Sequence, residues 1–259
     1  MKEFKVAVAQ MDIKLEDKEA NLKKTAEMVS TATKQEADFV CLPEYLTTGS
    51  ALEQCSKLAE PIPGHVTDRL RAIAKENGVY LVASIPERTD DKIYNTAVLI
   101  DPRGEVLTKY RKIHLFMEER NHIARGGEYV VADTEFGKVG LMICYDAVFP
   151  EIARQLALQG ADIVFMPANW PNPFLSQWRL ATSARALDNQ FWLVATNRIG
   201  ADSKFTYSGG SRVINPYGDP VVECGDKEEI LVATVDGKVT EEFKRTVNFL
   251  NDRHSEVYK

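Results

Sequence analysis

The chain has 259 residues, a formal charge of −6 and 44% hydrophobic residues, which allows a large core and provides no basic stripe for nucleic acid or an anionic membrane. No apolar run approaches membrane-spanning length, and the opening MKEFKVAVAQMD lacks a long hydrophobic segment with a cleavage site; the expected setting is the cytoplasm and the expected partner a small molecule. Cys41, Cys55, Cys144 and Cys224 show no C-x-x-C spacing, so neither a disulfide framework nor a metal site is expected.

In chain order, residues 4–10 alternate as a strand, and 15–37 carry helix formers with apolar Leu22, Ala26, Val29 and Ala32 at helical spacing. ADFVCLPE (37–44) reads as the next strand, 65–77 as a helix, and VYLVAS (79–84) as a strand. NTAVLIDPRGEV from Asn95 reads as strand, Pro-Gly turn and strand. EVLTKYRKIHLF continues in strand-like fashion, with Lys109, Arg111 and Lys112 expected to be mostly solvated. In the second half, the uncharged run 139–143 ends at Cys144, and Pro150 and Glu151 open a helix that stops at Gly160. ADIVFMPAN (161–169), a helix over 174–189, FWLVAT (191–196) and the turn-containing SRVINPYGDPV from Ser211 then echo the first half segment by segment. Two such halves predict an α/β fold: two mixed sheets face to face with helices outside, a four-layer α-β-β-α sandwich with an internal pseudo-twofold repeat, as one domain over 1–259.

The carboxyl ends of the strands are where such sheets gather ligands, and three residue types meet the needs of hydrolysis there. Cys144 ends a strand and is expected to face a helix N-terminus, which lowers a thiol pKa and presents N–H groups to developing negative charge. Glu44 closes a buried-looking run, so partial desolvation raises its pKa and makes it a better base than a surface carboxylate. Lys112 supplies an ammonium, completing nucleophile, base and cation. Among His65, His114, His122 and His254, a Cys–His arrangement with His114 is the alternative, although the neighbouring sequence gives that histidine no orienting partner.

PEY at 43–45, YRKIHLF at 110–116 and GLMICYDAVFPE at 140–151 resemble, in order and spacing, the Glu, Lys and Cys motifs of the nitrilase superfamily of carbon–nitrogen hydrolases. ANWP (168–171), ARALDNQ (184–190), NRIG (197–200) and GGSRVINPYGD (209–219) extend the resemblance towards the tail. It implies an α-β-β-α sandwich that pairs into homodimers or larger assemblies, with Glu44 as general base, Lys112 as stabiliser of the tetrahedral intermediate and Cys144 as nucleophile. Glu119 then orients Lys112, the Tyr145 backbone N–H helps to bind the oxyanion, and no metal or organic cofactor takes part. The implied reaction is hydrolysis of a small amide through a cysteine thioester; nitrile or N-carbamoyl hydrolysis, or a non-catalytic binding subunit, are the alternatives. Tyr145 and Asp146 look like the amidase side, and ANWP with QWRLATSARALDNQ looks like the ω-amidase group. That group usually reads CYDxRFPE, whereas Val148 stands at the arginine position here, and a cationic anchor for a substrate carboxylate is expected to be missing. Tyr45, Asn169, Trp170 and Val148 are the expected pocket residues. Apolar and aromatic residues over 243–258, which a lone domain would leave exposed, point to an oligomer.

Overall fold

The structure is a computed structural model that describes residues 1–258; the last position of the expected domain, Lys259, lies outside the described residues. Strand β1 (Phe4–Gln10) shows why the first half reads as continuous apolar runs. Phe4, Val6 and Val8 point into one hydrophobic cluster while Ala7 and Ala9 point into another, because alternate side chains leave a strand on opposite faces and both faces are covered. Helix α1 (Lys18–Thr33) is shorter at both ends than the predicted 15–37. Its start is fixed by Asp17, whose carboxylate accepts from Ala20 N. Its end is fixed by a turn in which Glu36 takes a positive φ of 64°, so the chain reverses and Asp38 accepts from Lys5 N at 2.8 Å beside β1.

There follow β2 (Phe39–Cys41), the short α2 (Cys55–Leu58), α3 (His65–Asn77), β3 (Tyr80–Arg88), β4 (Ile93–Ile100), β5 (Val106–Arg111) and the single turn α4 (Glu119–His122). The second half runs β6 (Val131–Thr134), β7 (Gly137–Leu141), α5 (Pro150–Leu158), β8 (Ile163–Pro167), α6 (Leu175–Asn189) and β9 (Trp192–Thr196). A small hairpin, β10 (Ile199–Ala201) and β11 (Thr206–Ser208), precedes β12 (Arg212–Ile214), β13 (Pro220–Glu223), β14 (Glu229–Val235) and α7 (Gly237–Thr246).

The strands form two six-stranded sheets, β14-β1-β2-β3-β4-β5 and β6-β7-β8-β9-β12-β13. Read in that order, each sheet has one antiparallel pairing, two parallel and two antiparallel, so the sequence echo is a repeat of topology. One feature breaks it: β6 directly precedes its partner β7, whereas β14 comes from late in the chain to pair with β1, from Phe4↔Val235 to Gln10↔Glu229.

Phe39 and Phe165 stack across the two sheets at 5.2 Å between ring centroids. Leu22, Val29, Leu70 and Ile73 of α1 and α3 cover the outer face of the first sheet, while Ile152 and Leu156 of α5 and Trp178 of α6 belong to the cluster on the second. Each fully buried side chain of this size contributes about 1.5–3 kcal/mol, which holds the helices on their sheets, while the inner faces join through contacts such as Phe39 with Phe165. The tail departs from expectation. Phe243 is buried and stacks on Tyr217 at 4.1 Å, and the Gln190 side chain joins Val247 O at 2.9 Å to Phe249 N at 2.8 Å. The segment after α7 folds back on α6 because these apolar rings find a partner within the chain; Val257 and Tyr258 stay exposed.

Candidate active site

The pseudo-twofold arrangement brings the matching strand ends of the two halves into contact. Glu44 N donates to Ala168 O at 3.3 Å, and Asn169 N donates to Glu44 Oε2 at 2.7 Å. Glu44 is only 2% exposed, so the carboxylate expected at the rim of the sheet lies within the join of the two sheets.

Lys112 follows β5. Lys109 and Arg111 turn outward onto Glu87, and strand alternation sends Lys112 to the opposite side, where its side chain is 2% exposed instead of solvated as expected. Its backbone is held on both sides, Lys112 N donating to Asn95 O and Gly126 N to Lys112 O, each at 2.8 Å. A Cβ on Gly126 would stand 2.0 Å from Arg111 O, so the position admits only glycine without movement of that backbone. Lys112 Nζ donates to Glu44 Oε1 at 2.7 Å and to Glu119 Oε2 at 2.8 Å. Glu119 also accepts from Tyr45 OH at 2.8 Å and Phe116 N at 2.6 Å. Its neighbour Glu118 points away and pairs with Lys204 at the surface.

Two further residues of this cluster carry no distinctive sequence signal. Asn95 Nδ2 donates to Glu44 Oε1 at 2.7 Å, and Ser84 Oγ fixes Asn95 by donating to its Oδ1 at 2.5 Å. In the sequence Asn95 is simply the first letter of an apolar strand; a buried amide within such a run is the one available hint.

Cys144 is placed differently from expectation. The β7 ladder ends at Leu141, and Cys144 takes a positive φ of 47° at the head of a 3₁₀ turn, Cys144–Val148, that precedes α5. A non-glycine residue in this region is held there by its surroundings, and Asp146 does the holding. Its Oδ2 accepts from Ile143 N at 3.0 Å and Tyr110 OH at 2.7 Å, and its Oδ1 accepts from His114 N at 3.0 Å. The hydrogen bonds of this turn run from Asp146 N to Ile143 O and from Phe149 N to Asp146 O, and Tyr145 lies within the first of them. Asp146 also lies 3.1 Å from His114 Nδ1, so His114 does have an orienting partner, 32 residues distant in sequence; it stacks on Phe149 and lines neither cavity beside Cys144.

Electrostatics follow from burial. Desolvation pushes the Cys144 thiol well up, the Glu44 charge adds to this, and Lys112 opposes it; the expected lowering by a helix N-terminus is overruled by this burial, and α5 itself begins only at Pro150. Desolvation also raises Glu44, against Lys112. For Lys112 burial works against the charged form, but Glu119 and Glu44 outweigh it and hold the ammonium well above its usual range. The thiol therefore rests protonated and needs a base at the moment of attack.

Two cavities meet at Cys144. One, of about 210 Å³, is lined by Glu44, Lys112, Glu119, Tyr45 and Asn169. The other, of about 190 Å³, is walled by Phe116, Tyr145, Val148, Trp170 and Phe174. All four expected pocket residues thus line a cavity that Cys144 also lines, Tyr45 and Asn169 the first, Val148 and Trp170 the second.

A buried carboxylate, ammonium and thiol meet at the joined edges of a two-sheet α/β sandwich, and comparison with known proteins gives this class of fold a family. Residues 5–245 match the carbon–nitrogen hydrolase family, and the chain belongs to that family. It is 34% identical to omega-amidase NIT2 of Mus musculus, over 100% of this chain and 98% of the relative. Among solved structures, Nit3 of Saccharomyces cerevisiae, described as a member of branch 10 of the nitrilase superfamily, superposes with a TM-score of 0.92 at 32% identity, covering 98% of this chain and 97% of the other. The amidase from Nesterenkonia sp. AN1 superposes with a TM-score of 0.89 at 28% identity, covering 98% and 95%; variants of it carry the acetamide moiety of fluoroacetamide on the active-site cysteine or hold butyramide.

Proposed function

We propose that this protein hydrolyses the carbon–nitrogen bond of small amides through a thioester on Cys144. The observation that carries the reading is Lys112 Nζ shared between Glu44 and Glu119, at 2.7 and 2.8 Å, in the cavity that Cys144 lines. Glu44 takes the thiol proton as sulfur attacks the carbonyl carbon; Lys112 and the Tyr145 N–H bind the oxyanion, and Glu119 with Asn95 keeps the ammonium and the base in register. The protonated Glu44 gives its proton to the leaving nitrogen, then activates water to cleave the thioester. The covalent addition of the acetamide moiety of fluoroacetamide at the active-site cysteine of the Nesterenkonia amidase supports Cys144 as the nucleophile. Release of ammonia from short aliphatic amides, measured beside matched nitriles and N-carbamoyl compounds, tests the reading; turnover confined to either of the other classes would replace it.

The acyl chain belongs in the apolar cavity with Val148, and it is uncharged. Arg179 and Arg212 are paired with Glu223, Arg185 with Asp188 and Arg198 with Asp12, and none of them lines either cavity. Wild type is expected to turn over butyramide at least as well as succinamic acid, and Val148→Arg to shift the ratio of kcat/KM about thirtyfold towards the acid, the worth of a charge-assisted hydrogen bond of about 2 kcal/mol. A wild type that strongly prefers the acid, with no response in the variant, would show that another residue holds the carboxylate.

The same reading takes residues 1–259 as one domain, since the first sheet closes only with β14, and the reducing cytoplasm as its compartment, which four unpaired thiols suit. No helix of the described residues is long and apolar enough to cross a membrane. An oligomer, at least a dimer, is supported by Leu158 of α5 and Leu180 and Leu187 of α6, which are 45%, 73% and 38% exposed. Light scattering at micromolar concentration is expected to give twice the chain mass or more; the mass of one chain would refute it.

A further inference from the structure

The proposed reaction puts the scissile nitrogen on the Glu44 side of Cys144, because Glu44 must reach it with a proton. Glu44 and Lys112 line only the larger of the two cavities. The acyl substituent then occupies the apolar side, and whatever the nitrogen carries occupies the other. Ammonia needs little room: about 15 Å³ of such space holds a water-sized molecule, against about 210 Å³ here. The space is not neutral. Glu16 from the β1–α1 loop, Glu53 before α2, Glu118 before α4 and Asp202 of the β10–β11 hairpin all line it. Besides Lys112, the one ammonium lining it among the described residues is Lys204, which is already paired with Glu118. Asp202 accepts from Tyr207 OH at 2.7 Å and from Lys204 N at 2.9 Å, so its carboxylate is fixed at the wall. Deeper in, Asn169 is 7% exposed and lines the same cavity. Its amide nitrogen donates to Ser50 Oγ at 3.1 Å, while its Oδ1 has no hydrogen-bond partner among the described residues. That leaves an acceptor for an N–H on the nitrogen side of the scissile bond.

We propose that the cavity receives the amine half of a secondary amide and that this amine bears a positive charge, so that the enzyme splits N-(aminoalkyl) amides of short apolar acids. The inference rests on the amidase reading above and extends it from the acyl half of the substrate to the leaving group. In the first half-reaction a C–S bond forms as the thiol proton passes to Glu44. The C–N bond then breaks, and the nitrogen takes that proton and departs as a free amine with its distal ammonium intact. In the second half-reaction water adds to the thioester, its proton passes to Glu44, and C–S cleavage returns the thiol and a carboxylic acid. One water is consumed and no oxidant or reductant is needed. The acidic wall acts by attracting the distal ammonium in both ground and transition states, so its effect appears chiefly in KM.

The test compares four butyryl compounds by butyrate release: butyramide, N-propylbutyramide, N-(2-aminoethyl)butyramide and N-butyrylglycine. The aminoethyl and propyl amides are nearly isosteric and differ in charge. At low ionic strength the aminoethyl amide is expected to exceed the propyl amide in kcat/KM by about fivefold or more, and the glycine conjugate to be the poorest. The advantage should shrink as salt rises, and Glu16→Gln combined with Glu53→Gln should bring the ratio of the isosteric pair close to one. Turnover of butyramide with none of the three N-substituted amides would overturn the inference and leave the amidase reading standing. Equal rates for the propyl and aminoethyl amides, unmoved by the double variant, would overturn the assigned charge. Turnover of none of the four would overturn both readings together.

Discussion

Cys144→Ser is expected to abolish turnover while leaving the fold in place. The side chain is 5% exposed and sits at a φ of 47°, and a hydroxyl is close enough in volume to the thiol to keep the turn that Asp146 braces. The chemistry does not survive the exchange. Burial already pushes the thiol well above its usual pKa, so attack relies on a base, Glu44, that burial has also raised. A hydroxyl is far less acidic still, and the barrier rises by the free energy of that mismatch; a loss on the order of 10³-fold or more in kcat is expected. The measurement is butyramide turnover beside a thermal melt. A melting temperature within about 2 °C of wild type shows the fold is kept. Activity within about tenfold of wild type would remove Cys144 from the nucleophile's role.

Lys112→Ala is expected to lose activity on a similar scale and, unlike the cysteine variant, to lose stability. It leaves Glu44 and Glu119, 2% and 4% exposed, facing each other without the ammonium that bridges them. Removing one partner of a buried ionic group typically costs about 3–5 kcal/mol. Glu44 is already raised above its ordinary value by burial, and losing Lys112 removes the strongest influence that lowers it. A carboxyl whose folded pKa lies above its unfolded pKa favours the native state at pH below the unfolded value, and that support is lost as pH rises through the folded pKa. The variant should therefore show its largest deficit at neutral and alkaline pH and regain ground near pH 4. Adding Glu119→Gln should recover part of the stability at neutral pH and none of the activity. A variant as stable as wild type at pH 8, or a deficit that deepens on acidification, would show that the three side chains are not one charge cluster.

Much of this site was legible because strand physics leaves a mark. The runs ending at Glu44 and at Cys144 are apolar on both faces, whereas in the sequence Lys112 looks as solvated as Lys109 and Arg111, and only the burial of Tyr110 shows which side of the strand it shares. The doubled ADFVCLPE and ADIVFMPAN segments foretold the paired sheets, and their ends do meet. What stayed hidden depends on spatial placement. The end of α1 hinges on one positive φ at Glu36. The direction of the Cys144 shift depends on how deeply the folded chain buries the thiol, and the brace formed by Asp146 with His114 joins residues 32 apart. Asn95, central to the cluster, is an ordinary strand asparagine to a reader of sequence. Choosing Glu119 over Glu118 came from the family resemblance alone.

The late origin of β14 carries a consequence for biosynthesis. During translation β1 leaves the ribosome long before the strand that hydrogen-bonds its outer edge, from Phe4↔Val235 to Gln10↔Glu229. Until then the nascent chain presents an apolar strand with a bare edge, the kind of surface that recruits other unfinished chains. Polysomes bring such chains close together. A chain that stops before Glu229 would keep β1 paired with β2 alone and leave its other edge bare.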